Sequence, residues 1–110
     1  MEYLQVITTV ASREDARRIA RTLVERRLAG CVQVVGPISS TYRWQGSIEE
    51  DEEWLCLIKT AEARYLEVER ALREVHPYET PEIIAHPIVA GGRDYLAWLR
   101  GALRLEDVQG

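Results

Sequence analysis

The chain has 110 residues, a formal net charge of −4 at pH 7 and 46% hydrophobic side chains. This length predicts one domain spanning residues 1–110, and the acidic balance argues against sequence-blind nucleic-acid binding, which needs a basic surface. No apolar run is long enough to cross a bilayer and no secretory signal is present, so we expect a cytoplasmic protein without a membrane partner.

The first segment predicts a strand followed by an amphipathic helix. Alternating, β-favouring residues predict a strand over Tyr3–Val10. Ser12 is a favourable N-cap because its hydroxyl can accept from an unpaired N–H of the first helical turn. Gly30 is predicted to end the helix in a left-handed conformation, which glycine adopts without steric cost. The apolar side of this helix comprises Ala16, Ile19, Ala20, Leu23 and Val24.

A long, interrupted hairpin is predicted next. Residues 31–35 and 38–44 have the composition of strands, and Gly36-Pro37 between them predicts a bend or bulge. Gln45-Gly46 begins the turn, and residues 48–60 return as the third strand. The acidic residues 49–53 predict a solvated shoulder that keeps the strand ends soluble, or a weak attraction for cations.

The second half predicts a helix, a short strand and a further helix. Residues 62–75 have helical spacing and are ended by Pro77, which cannot continue a helix. Residues 82–89 predict the fourth strand and residues 94–103 a short third helix. The polar tail after Leu105 is expected to fray. The apolar side of the second helix is predicted to contain Tyr65, Leu66, Val68, Ala71, Leu72 and Val75.

The order of these elements predicts the fold class. A β-α-β-β-α-β succession is the ferredoxin-like α+β sandwich, with two helices on one face of a four-stranded sheet, and here an extra C-terminal helix follows. Residues 55–58 form a continuous apolar run, which is typical of a strand buried on both faces. Because the two helices cover one face only, the other face is predicted to have a second cover.

Residues 76–83, His-Pro-Tyr-Glu-Thr-Pro-Glu-Ile, connect the second helix to the fourth strand. Each proline fixes its φ at about −65° and biases the preceding residue towards extended geometry. The loop is therefore stiff, and it presents His76, Tyr78 and Glu79 together. Such a loop suits binding, or it is a connector whose prolines merely stop a helix and start a strand.

Five motifs in order resemble the CutA family of divalent-cation tolerance proteins. They are RLAGCV at 27–32, YRWQG at 42–46, IKT at 58–60, HPYETPEI at 76–83 and YLAWL at 95–99. The resemblance extends from about Tyr3 to Leu103. The chain departs from the family pattern at Gly30, where alanine is usual, at Gln33, where asparagine is common, and at Cys56, in a run that is usually aliphatic.

The resemblance implies a trimer and a role in metal tolerance. Family members form homotrimers whose sheets pack around a threefold axis, an architecture shared with the trimeric PII signalling proteins. A subunit interface would supply the second cover of the sheet. The implied function is tolerance of divalent cations, copper in particular. We expect no catalysis, because the chain carries no cysteine-enzyme signature and no glycine-rich phosphate loop.

Copper is the metal that the soft ligands suit best. The cysteines and histidines lack the spacing of a closed zinc site, whereas a thiolate with an imidazole suits copper, and thiolates particularly suit Cu(I). Together with the family's link to copper tolerance, this indicates Cys31, His76 and Glu79 as ligands of copper or another divalent cation, if strand and loop approach within or between subunits. Alternatively, Cys31 is a small buried hydrophobe. Cys56 and His86 are expected to be structural.

An alternative function is that of a PII-like sensor or scaffold with a cleft between subunits. The family motifs carry aromatic walls, one cation and one carboxylate, which describe a pocket for a small anion or a protein tail. Lys59, the only lysine, is expected to pair with Glu79 or with the ligand. The tryptophans are alternatively interface anchors. The implied cleft residues are Tyr42, Trp44, Lys59, Tyr78, Tyr95 and Trp98.

The composition also fits a thermostable protein. The chain has no asparagine, and arginine provides every basic side chain except Lys59 and the histidines. Few thermolabile amides and many arginine and glutamate residues are typical of thermophilic proteins, although a GC-rich genome also favours arginine. In a reducing cytosol the two cysteines are expected to be free thiols.

Overall fold

The computed structural model describes residues 2–105, and the predicted fraying of the tail after Leu105 lies outside this range. The described residues form four strands and three α-helices in the predicted order. Their bounds are β1 Tyr3–Val10, α1 Arg13–Glu25, β2 Cys31–Trp44, β3 Ser47–Ala61, α2 Tyr65–Val75, β4 Ile84–Ile88 and α3 Arg93–Ala102.

The strands form one antiparallel sheet in the order β2-β3-β1-β4. In the β1-α1-β2 and β3-α2-β4 units, the helix crosses over to a strand two places away, which leaves one strand between the connected pair. This is the split βαβ arrangement of the ferredoxin-like fold. The predicted α+β class and element order are therefore confirmed.

The main core lies between the sheet and helices α1 and α2. Side chains alternate between the two faces of a strand, and Val6 of β1 lies opposite Ile58 of β3 on the helix-covered face. Both are fully buried, as is Cys56, which confirms its predicted place in the core. Burial of this apolar surface holds the helices on the sheet. From the helices, the same cluster takes in Ile19, Leu23, Val68, Ala71 and Leu72.

Helix α1 begins as predicted but ends differently. The Ser12 hydroxyl accepts a 3.0 Å hydrogen bond from the Asp15 backbone N–H, which is the predicted N-cap contact. At the other end, Arg27 takes the left-handed conformation, with φ of 59°, inside a Schellman pattern of backbone hydrogen bonds. The prediction of a left-handed Gly30 is therefore wrong, because the helix ends several residues earlier.

Two other elements differ from their predictions. A 3-10 turn, Glu62–Arg64, precedes α2, so the α-helix starts three residues later than predicted. Strand β4 is limited to the five residues that pair with β1 rather than covering 82–89. Leu66 is 71% exposed, which contradicts its predicted place on the apolar side of α2. At about 100° per residue, it lies on the opposite side of the helix from Val68 and Leu72.

Helix α3 covers one end of the opposite sheet face. A second buried cluster there comprises Tyr3, Ala61, Leu99, Leu103 and Leu105. Gly30 permits the close approach of this helix, because a Cβ atom at that position would collide with the Leu99 side chain. The helix therefore supplies part of the predicted second cover, at the end of the sheet where β1 begins.

The rest of this sheet face is not covered by any other element among the described residues. We call this uncovered part the open face. The register places Leu57 beside Ile7, which in turn lies beside Ile84, and it places Val35 beside Leu55. Val35 and Ile84 are each 45% exposed. The continuous apolar run in β3 is thus buried on one side and only half-covered on the other.

Strands β2 and β3 continue beyond the sheet as a two-stranded arm, residues 38–53. Strand β1 ends opposite Trp54, so the two halves of the arm pair only with each other. A register shift between Val35 and Ile38 confirms the predicted bulge at the root of the arm. The predicted turn at its tip is also confirmed, with positive φ at Gln45 and Gly46. The molecule is accordingly elongated, measuring 50 × 26 × 23 Å.

Candidate functional site

The His76 side chain is buried at the start of the 76–83 loop, and both of its ring nitrogens are hydrogen-bonded. Its Nε2 lies 2.9 Å from the Thr9 carbonyl oxygen, and its Nδ1 accepts a 3.0 Å hydrogen bond from the Tyr78 N–H. Because a carbonyl can only accept, the proton resides on Nε2 and the ring is neutral. Burial lowers the pKa of His76 and outweighs the opposing effects of the Thr9 bond and of the Asp15 and Glu53 carboxylates.

This lowered pKa predicts that acid destabilises the metal-free protein. The unfolded state, with an ordinary histidine pKa of about 6.5, binds more protons than the folded state as the pH falls. The free energy of unfolding should therefore decline below about pH 6.5 and continue to decline towards the lower folded-state pKa. Urea unfolding in the presence of a metal chelator, repeated between about pH 5 and 7.5, would measure how the free energy of unfolding changes with pH.

The matched variants are His76→Gln and His86→Gln, which remove the only two histidines one at a time. His86 is exposed, so its replacement should preserve the wild-type dependence, whereas His76→Gln should flatten it. An equal flattening by both variants would contradict the assignment to His76.

A second contact joins the 76–83 loop to the root of the arm. The Tyr78 hydroxyl donates a 2.7 Å hydrogen bond to Glu53, and burial followed by this bond raises the pKa of Tyr78 well above its usual value. Glu53 is 7% exposed, which corrects the prediction that the whole acidic run is solvated. Residues 49–52 are exposed as predicted. The sequence signal for Glu53 is its place beside Trp54, where the buried part of the strand begins.

Tyr42 and Trp44 lie further out, on the arm itself. The Tyr42 hydroxyl donates to the Asp51 carboxylate across the arm, and this bond, with burial and nearby carboxylates, raises the pKa of Tyr42 to about 12. Trp44 is paired with Ser47 beside the turn and is 43% exposed. Both aromatic rings are therefore accessible on a ribbon that pairs with no other strand among residues 2–105.

A second group of side chains meets beside α3, near the start of β2. Cys31 is paired with Lys59, whose Nζ donates a 3.0 Å hydrogen bond to the Gln33 amide oxygen. The rings of Tyr95 and Trp98 lie 5.6 Å apart. Burial, and then the charge that a Cys31 thiolate would carry nearby, raise the pKa of Tyr95. This cluster combines one thiol, one cation and two aromatic rings.

The three metal-ligand candidates do not meet within a single chain. Cys31 of β2 is paired with Lys59 of β3, and Lys59 is paired in turn with Gln5 of β1. Gln5 lies four residues before Thr9 on the same strand. At about 3.3 Å per residue, that is about 13 Å along the sheet between the thiol and the residue that binds His76. Within residues 2–105, no three His, Cys, Asp or Glu side chains are close enough to hold one metal ion. The described residues of a single chain therefore do not fit a copper centre.

The cleft candidates also divide into two groups. Tyr42, Trp44 and Tyr78 belong to the arm and its root, whereas Lys59, Tyr95 and Trp98 lie beside α3. Two further residues were not indicated by the motifs: Gln33, which hydrogen-bonds to Lys59, and Glu53, which hydrogen-bonds to Tyr78. Gln33 shares the open-face side of β2 with Cys31, so strand alternation is the signal that could have identified it.

The comparisons with known proteins decide the family. The model of the family described as "CutA1 divalent ion tolerance protein" matches residues 4–102. The chain belongs to the CutA1 family. A divalent-cation tolerance protein CutA from Thermus thermophilus is 50% identical over 95 residues, which cover 86% of this chain and 92% of that protein. The solved Thermus thermophilus structure has a TM-score of 0.88 at 47% identity, covering 91% of this chain and 97% of its own.

Other CutA proteins show how widely the fold is shared. The CutA structure from Xylella fastidiosa has a TM-score of 0.91 at 36% identity and covers 94% of this chain and 99% of that one. Human protein CutA is 45% identical over 92 residues, 84% of this chain but only 51% of the human protein. No helix within residues 2–105 combines the length and the apolar character needed to cross a membrane.

Proposed function

We propose that this CutA-family chain acts in the cytoplasm as a homotrimeric divalent-cation tolerance protein that binds copper or another divalent cation without catalysing a reaction. The open face is the observation that carries the proposal. Its neighbouring apolar side chains remain partly in water in one subunit, and contiguous apolar patches on soluble proteins mark interaction sites. Packing of three open faces would complete the sheet's second cover.

The arm supports the same assembly. An isolated two-stranded ribbon is marginally stable in water, and this one exposes large apolar side chains, with Ile48 66% exposed. Contact with a neighbouring subunit would cover them and support the arm. Additional apolar burial between subunits also suits the thermostability that the asparagine-free composition favours.

Copper binding is proposed to use ligands from different subunits, because those of one subunit lie apart. Cys31 supplies the thiolate that Cu(I) prefers, and it is half-buried rather than enclosed in the core. Glu79 is exposed on the loop. His76 would have to release Thr9 or Tyr78 to bind a metal, so coordination by this ring competes with the loop's own hydrogen bonds. Cys31 should therefore dominate the affinity.

Anaerobic titration with Cu(I) against a competing chelator tests this proposal. We expect stoichiometric binding to the wild-type protein and an affinity at least about 100-fold lower in Cys31→Ser, exceeding the 10–100-fold effects typical of outer-shell changes. Cys56→Ala is the matched control, because that thiol is fully buried and burial raises its pKa to about 11. Unchanged affinity in Cys31→Ser would contradict the thiolate site.

The alternative is a cleft between subunits that binds a small anion or a protein tail. It is favoured by Lys59, which forms no ion pair with Glu79 or any other carboxylate in the described part of the chain and bonds only to neutral Gln33. Tyr95 and Trp98 beside it are 45% and 51% exposed. Cleft binding would depend on Lys59 and survive Cys31→Ser, so the same variants distinguish the two functions.

A further inference from the structure

A cavity of about 350 Å³ lies on the helix-covered side of the sheet edge, beside the root of the arm. It is bounded by the first turns of α1 on one side and by the bulge of β2 on the other. This volume lies at the small end of the range for ligand pockets, about 300–1,000 Å³. Its lining residues are Arg13, Arg17, Val34, Gly36, Pro37 and Trp54.

The polar wall of the cavity carries two guanidinium groups without acidic partners. Arg13 and Arg17 are four residues apart, so they lie on the same side of α1. Among the described residues, neither side chain forms a hydrogen bond or an ion pair. By contrast, Arg18 on the same helix pairs with Asp15 at 2.9 Å and Arg21 pairs with Glu25 at 3.1 Å. The two cationic groups that face the cavity are therefore available to an external anion.

The opposite wall is apolar and shaped by a glycine. A Cβ atom on Gly36 would lie 2.5–2.9 Å from three atoms of the Trp54 indole, so only glycine lets the ring sit against this segment. Val34 and Pro37 extend the wall. Because the indole is rigid and partly packed against the core, the wall is a fixed surface on which a flat group could lie.

We propose that this cavity binds a small phosphate monoester that carries a flat ring, such as a nucleoside monophosphate. A phosphate monoester carries close to two negative charges at neutral pH, which matches two guanidinium groups whose forked donors suit phosphate oxygens. The ring would rest on the wall formed by Trp54 and Pro37. The cavity lies on the opposite side of the sheet from the open face, and none of its lining residues is a candidate copper ligand.

Calorimetric titration of the full chain with adenosine 5′-monophosphate, inorganic phosphate and adenosine would test the site. We expect saturable nucleotide binding, at least about tenfold weaker binding of inorganic phosphate, and none of adenosine alone. Arg13→Gln and Arg17→Gln should each weaken nucleotide binding by about tenfold or more, since a charge-assisted hydrogen bond is lost. Arg21→Gln makes the same charge change on the same helix outside the cavity and should leave affinity within about twofold.

NMR of the tryptophan indole N–H groups locates the ligand, because Trp54→Phe identifies one of only three such signals. The Trp54 signal should shift on nucleotide addition, while those of Trp44 and Trp98 stay in place. If Arg21→Gln and Arg17→Gln lost equal affinity, the loss would come from the overall change of charge rather than from the cavity, and the proposed site would be wrong. An unmoved Trp54 signal, or phosphate binding as tightly as the nucleotide, would overturn it too.

Discussion

Leu57→Glu is expected to convert the proposed trimer into monomers. Leu57 lies in the middle of the open face, paired with Gln33 on one side and Ile7 on the other. A carboxylate there would lose its hydration at the interface, and each buried charge costs several kcal/mol. The neighbouring Lys59 ammonium is already bound to Gln33, the residue opposite position 57. Threefold symmetry places three of them in one assembly. Since about 1.4 kcal/mol changes an equilibrium constant tenfold, association should be lost at micromolar concentration.

Light scattering coupled to size exclusion measures this directly. The wild-type protein should have three times the 12.6 kDa mass of the chain, and Leu57→Glu should have the mass of one chain. Leu66→Glu is the matched control, because Leu66 is 71% exposed on the outer side of α2 and should leave the trimer intact. A monomeric wild-type protein, or a trimeric Leu57→Glu variant that remains folded by circular dichroism, would contradict the proposed interface.

Leu99→Ala is expected to release α3 from the sheet and lower the free energy of unfolding by about 2–5 kcal/mol. Leu99 is fully buried in the second cluster, against Tyr3 and Ala61. Its side chain occupies the space that a Cβ atom at Gly30, just before β2, would need. Truncation would leave a cavity between the helix and the sheet that neighbouring backbone cannot easily fill.

Urea unfolding at a fixed protein concentration checks the loss, because an assembled protein's stability depends on concentration. Leu66→Ala deletes the same atoms at an exposed helical position and should change the unfolding free energy by no more than about 0.5 kcal/mol. Amide hydrogen exchange in residues 93–102 should accelerate selectively in Leu99→Ala. A stability loss equal to that of Leu66→Ala would show that α3 is not held by this contact.

The candidate residues form two groups, one at the root of the arm and one beside α3. His76 fastens the loop to Thr9 of β1, and Tyr78 fastens it to Glu53 at the root of the arm. Cys31, Lys59 and Tyr95 lie beside α3. Assembly is what could bring the two groups together. The oligomeric state is therefore the property on which both proposed functions of the trimer depend.

Local patterns in the chain were sufficient to predict the secondary-structure elements and the buried face of the sheet. The Ser12 cap, the bulge at Gly36-Pro37 and the burial of Cys56 all follow from residue type and spacing within a few positions. The ferredoxin-like order follows from the succession of strands and helices. The motifs likewise placed the chain in its family, which the comparisons confirm over residues 4–102.

Tertiary structure decided what depends on strand pairing and helix docking. Register separates Cys31 from Thr9, the residue that His76 binds. Tyr78 of the 76–83 loop hydrogen-bonds to Glu53, which is buried within an acidic run that otherwise faces water. The docking of α3, rather than a left-handed conformation, accounts for Gly30. Side-chain periodicity reports only local geometry, whereas these contacts join residues distant in the chain, so the sequence alone could name the candidate ligands but could not bring them together.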